Sequence, residues 1–124
     1  MPLSQLIAAT TRLEDGPADG FRPTGPDERA TILAQIGDGP LGNVAAISGH
    51  RVVPLPDGVE LPVSGGVKVR VRLTASDTYT VQRVRVRGKS EKLLGERENV
   101  HADSLAAVAY RAGMYESYGD SEEW

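Results

Sequence analysis

The residues best suited to chemistry in this 124-residue sequence are seven cations: Lys68, Arg70, Arg72, Arg83, Arg85, Arg87 and Lys89. They alternate with valine and leucine in VKVRVRL and again in RVRVRGK. A pleated backbone would line them along adjacent strands about 5 Å apart. Like charges at that spacing repel, so the array needs anions opposite it. A nucleic-acid backbone meets that need, since Arg and Lys neutralise phosphates and a two-stranded ribbon fits the DNA major groove. An acidic protein partner, or a second copy of the chain, meets it equally. From within, Glu91, Glu96, Glu98 and the acidic C-terminus meet it as cross-strand pairs, leaving a solvated charged surface. An RNA-binding sheet would also carry stacking aromatics, and Tyr79 is the only candidate there.

The C-terminus offers a second set of groups. Tyr115, Tyr118 and Trp124, with Tyr110 and Met114, stand among Glu116, Asp120, Glu122 and Glu123. Aromatic anchors with a charged rim suit docking on a partner, folding back over the basic sheet, or exchange between subunits to give a homo-oligomer.

Signals for catalysis are poor by comparison. His50 and His101 lie in different segments with no carboxylate at helical spacing to complete a metal site. Glu96 and Glu98 share a strand face, where pairing with Arg83, Arg85 or Arg87 is a simpler role than acid–base work. Gly37-Asp38-Gly39-Pro40-Leu41-Gly42 spells GxGxxG, but the dinucleotide fingerprint requires a strand before it and a helix after it. Here a helical pattern precedes and a Gly/Pro loop follows. Ser64 to Lys68 lacks the spacing of a P-loop. The absence of cysteine removes thiolate metal sites, a cysteine nucleophile and disulfides. The reading is therefore of a protein that is not an enzyme, with no catalytic residues, metal or cofactor.

The elements that must position the cations follow from the pattern. Val67 to Lys89 reads as a long antiparallel hairpin around Ala75-Ser76-Asp77-Thr78, with Ser and Asp as turn formers. Tyr79 and Val81 are out of phase with Val84 and Val86, which predicts a β-bulge near Gln82 to bring both sets to the core. Lys92 to Val100 reads as a third strand, because Gly95 and two leucines give no helical period. Asp103 to Ala112 reads as a helix with Leu105, Val108, Ala109 and Ala112 on one stripe, stopped by Gly113.

Upstream, Gly25 as cap, Pro26, Asp27 and Glu28 open a helix with Ile32, Leu33 and Ile36 inward, ended by Gly37. Leu3, Leu6 and Ile7 suit a shorter helix, and Glu14 to Pro23 is a loop anchored on the core by Phe21. Seven Gly and four Pro between Gly37 and Gly66 argue against a regular helix or a central strand there. An edge hairpin fits, with Arg51 to Leu55 and Val59 to Val63 flanking Pro56-Asp57-Gly58.

Length fits one domain. Its expected parts are an N-terminal helical region (1–36), Gly/Pro-rich loops with an edge hairpin (37–66), sheet plus helix (67–113) and an acidic aromatic tail (114–124). The expected class is α+β, an antiparallel sheet of three to five strands centred on the long hairpin with the C-terminal helix on its apolar face. No apolar run approaches a membrane span and Met1 to Arg12 lacks a signal-peptide pattern, so a soluble protein without membrane contact is expected. Val67 to Lys92 holds eight Lys/Arg against two Asp/Glu, a local +6 that leaves −9 elsewhere in a chain of net −3.

From Leu73 to Tyr118, the runs LTASDTYTVQRVRVRG and GERENVHADSLAAVAYRAGMYESY resemble a recurring pattern in small uncharacterised proteins of actinobacterial bacteriophages. Asp77-Thr78-Tyr79, the Arg/Val strand, Asn99-Val100 and Ala102-Asp103 before an alanine-rich helix carry the resemblance, which covers the C-terminal two fifths. It implies a viral accessory or structural protein, in the host cytoplasm or the virion, and supplies no catalytic residue. Binding a protein partner or itself through the arginine face and tail is the expected function, with nucleic-acid binding by the same arginines as the alternative.

Overall fold

The computed structural model describes Gly16 and residues Gly20–Met114. Within them, helix α1 (Pro26–Ile36) and short helix α2 (Asn43–Ser48) precede five strands, β1 (Val53–Leu55), β2 (Gly58–Pro62), β3 (Val67–Leu73), β4 (Tyr79–Arg87) and β5 (Ser90–Val100). A 3₁₀ turn (Ala102–Ser104) leads into helix α3 (Leu105–Met114). The strands form one antiparallel meander in sequence order, and the fold class is α+β. The helix expected near Leu3 lies outside the described residues.

Sequence signals account for most boundaries. α1 starts at Gly25 with proline in its first turn, and the Glu28 carboxylate accepts the Gly25 N–H at 3.1 Å. It ends at Gly37, whose φ of 115° is left-handed and whose N–H reaches the Leu33 carbonyl. Gly37 to Gly42 is thus a link between two helices: Gly42 caps α2, and the element immediately before the GxGxxG letters is α1, not a strand. The region 37–66 departs from expectation twice. It contains the helix α2, whose Val44 and Ile47 are buried, and β2 lies inside the sheet between β1 and β3. Proline tolerates this because Pro54 sits on the edge strand and Pro62 is the last residue of β2.

The core lies between the sheet and the helices. Val59, Leu61, Val69, Val71, Leu73, Tyr79 and Val81 meet Ile32 and Ile36 of α1, Val44 and Ile47 of α2, and Leu105, Val108, Ala109 and Ala112 of α3. All four residues of the predicted C-terminal stripe are buried. Gly113 does not stop that helix, which runs on to Met114. It is a packing position, where a Cβ would come within 3.0 Å of Ile47 Cγ1. The loop 74–78 is the hairpin turn, with Asp77 at φ 65° and the Thr78 N–H bonded to Thr74 Oγ1 at 3.2 Å.

Candidate functional site

Strand register decides where each cation points. β3 and β4 pair without interruption, from Val67 opposite Arg85 through Val69 opposite Arg83 to Leu73 opposite Tyr79. Opposed residues share a face, so Arg83 and Arg85 lie on the helix side with the valines of β3. Lys68, Arg70 and Arg72 lie on the other side, with Gln82 and Val84. Of the seven cations expected on one face, the six in strands are therefore divided between two faces, and Lys89 lies in the turn after β4.

The bulge expected in β4 near Gln82 is not in that strand. The irregularities beside Gln82 belong to the β4–β5 ladder, at Tyr79/Val81 and Arg83/Val84, and the extra residues fall on β5, one of them Leu94. The phase conflict in β4 is resolved by chemistry rather than by a slip. Arg83 points into the helix side, where its guanidinium donates to the carbonyls of Ala112 at 2.7 Å and Gly113 at 3.1 Å. It thus satisfies the last turn of α3 at the negative end of the helix dipole.

On the opposite face the β3 cations are paired, with Arg70 and Arg72 buried and Lys68 half-buried. Arg70 is 3 % exposed, bonded to Glu60 at 2.8 Å through Nε and to Glu91 at 2.7 Å through Nη1. Burial alone would lower the Arg70 pKa, but the hydrogen bonds and charges of Glu91 and Glu60 outweigh it and hold the pKa above its ordinary value. Arg72 donates to Asp57 at 2.7 Å and to Gln82 at 3.1 Å, and Gln82 passes the chain on to Glu96 at 2.7 Å. Lys68 completes the set with Glu60 at 3.3 Å. Phe21 pairs with Thr74 and lies beneath Arg72, whose Cζ is 5.5 Å from the ring centroid. Phe21 therefore anchors its loop on this polar face and not on the apolar core as expected, because Arg72 offers its ring a cation there.

Two of these anions, Asp57 and Glu60, escaped the sequence reading. Their signal was present in PDGVELP, where Glu60 alternates with Val59 and Leu61 and so faces the β3 cations once β2 pairs with β3. Glu96 bonds Gln82 rather than an arginine. Tyr79 is buried at 7 % exposure in the core and is not a stacking platform. Burial raises its pKa, opposed by a hydrogen bond from Gln35, with Glu28 adding to the rise. His50, at φ 67°, and His101, before the 3₁₀ turn, stand apart, and no group of three or more His, Asp or Glu among the described residues could hold a metal. No described helix is long and apolar enough to cross a membrane. Tyr115, Tyr118 and Trp124 lie outside the described residues.

What remains is a cluster at the far end of the β4–β5 hairpin. Arg85 opposes Lys92 and Arg87 opposes Ser90, which places Arg85, Lys92 and Arg87 together on the helix side, with Lys89 in the connecting turn. No ion pair engages any of these four among the described residues, and the buried Arg85 Nε has no hydrogen-bond partner. Arg85, Arg87, Ser90, Glu91 and Lys92 line a shallow cavity of about 310 Å³. The lining carboxylate, Glu91, is engaged by Arg70. The arrangement suits an anion with several charges held at strand spacing. No known family, characterised protein or solved structure matches the chain.

Proposed function

We propose that the protein is a non-enzymatic binding protein that grips an acidic protein partner with Arg85, Arg87, Lys89 and Lys92. One contrast carries the reading: the β3 cations are consumed by Asp57, Glu60 and Glu91, whereas these four engage no carboxylate among the described residues. Arg70 and Arg72 are then scaffold, and Arg83 holds α3. The resemblance to small bacteriophage proteins supplies the setting, an accessory or structural role in the host cell or the virion.

The test is fluorescence anisotropy of a labelled polyglutamate peptide, and of labelled DNA and RNA oligonucleotides, at several salt concentrations. The parent protein and the Arg85→Glu/Arg87→Glu/Lys92→Glu variant are compared. The expected result is peptide binding that weakens with salt and is lost in the variant, while the variant's unfolding midpoint is unchanged. Tighter binding of nucleic acid, lost in the same variant with a steep salt slope, would replace the partner with a phosphate backbone. Peptide binding that survives in the variant would remove the cluster from the account.

A further inference from the structure

The two edges of the sheet are built differently. β1 is three residues long with Pro54 at its centre, a blunted edge. β5 is eleven residues long, contains no proline, and has no strand on its outer side among the described residues. Such an edge offers a row of N–H and C=O groups to another chain.

The four β5 charges that pair with β4 are sorted by face, while Glu98 falls in the irregularity before Val100. Lys92 lies opposite Arg85 and Arg97 opposite Val81, both on the helix side, whereas Glu91 lies opposite Val86 and Glu96 opposite Gln82, on the other side. An antiparallel pairing of β5 with a second copy runs about a dyad perpendicular to the sheet, so each face of one copy continues into the same face of the other. Cations would then meet cations and acids would meet acids. A second copy would be repelled at this edge, and a strand with the opposite sorting, acids on the helix side, would be attracted.

We propose that the occupant of the β5 edge is an extended, acid-bearing strand of a different protein. It adds a sixth strand, with its carboxylates beside Lys92 and Arg97 and within reach of Arg85 and Arg87. The irregularities of β5 leave Ser90–Leu93 and Gly95–Arg97 as the regular stretches, so the added strand is short. This inference rests on the proposed acidic partner and adds the conformation in which it binds.

The probe is a labelled peptide of strictly alternating Glu and Thr, compared with a peptide of the same composition in block order. Two N-methylated forms of the alternating peptide complete the set, one methylated at every Glu and one at every Thr. In a strand, N–H and C=O of one residue point to the same edge, so methylation of one phase blocks the edge facing β5 and methylation of the other does not. The alternating peptide is expected to bind about tenfold more tightly than the block peptide. One methylated form should lose about tenfold and the other less than about twofold. Equal affinity of alternating and block peptides, or equal effects of the two methylations, would overturn strand addition. If those equal affinities still vanish in the Arg85→Glu/Arg87→Glu/Lys92→Glu variant, the acidic-partner reading stands alone. Absence of binding by every peptide would remove both.

Discussion

Replacing Arg70 by methionine tests the division of the cations most sharply. The guanidinium is 3 % exposed and sits between Glu60, itself 1 % exposed, and Glu91. Methionine matches the length of the stem and removes the charge, which leaves the Glu60 carboxylate buried with Lys68, at 3.3 Å, as its remaining cation. Removing one partner of a buried pair typically costs 3–5 kcal/mol, about half of the stability expected for a domain of this size. The partial rescue by Lys68 places the expected loss near the lower end, about 3 kcal/mol, or roughly 10 °C in Tm. The Glu60→Leu/Arg70→Met double variant exchanges charge for apolar volume and should recover most of that loss. Arg87→Met, on an exposed side chain without an ion pair among the described residues, should change stability by less than about 0.5 kcal/mol. Urea unfolding followed by circular dichroism measures all of them. An Arg70→Met variant within about 1 kcal/mol of the parent would refute the claim that Arg70 is a structural cation.

Four further outcomes follow from the geometry. Arg83→Met removes the donor to the Ala112 and Gly113 carbonyls and should cost about 1–3 kcal/mol, with amide exchange accelerating in the last turn of α3. Gly58→Ala would place a Cβ 1.8 Å from the Val71 carbonyl oxygen, so the β2–β3 ladder must part and the variant should fail to reach a cooperative folded state at 25 °C. Burial raises the Tyr79 pKa in the folded state, so above the unfolded value of about 10 the unfolded chain loses the proton first. Stability is then full below that pH and falls as pH rises through the folded pKa, and Tyr79→Phe should remove this share of the alkaline loss in unfolding curves. Lys92→Glu sets an acid where Arg97 of a second copy would lie, so sedimentation should show self-association growing with concentration, against 13.2 kDa for the parent.

The fold was legible because its elements carry signals on single strands and helices. Gly25 and Gly37 bracket α1, Leu105, Val108, Ala109 and Ala112 mark the face of α3, and the period of 2 from Val67 to Leu73 gives β3. What stayed hidden depends on residues far apart in the chain. The Arg/Val alternation of β4 looks like that of β3, but register with β3 reverses its faces, and a helix C-terminus 29 residues beyond Arg83 supplies the acceptors that let it point inward. Asp57 and Glu60 read as turn and edge residues until β2 is placed inside the sheet. The short helix Asn43–Ser48 was masked by the glycines that cap it on both sides.

The central claim is that the binding cations are those at the β4–β5 end and not those of β3. It is tested most directly by titrating the alternating Glu/Thr peptide into isotopically labelled protein and following backbone amide and arginine Nε–Hε resonances by NMR. The account predicts shifts confined to Arg85–Arg97, with Arg85 and Arg87 Nε moving and Arg70 and Arg72 Nε still. Shifts centred on Lys68–Arg72, or none on the β5 edge, would contradict it.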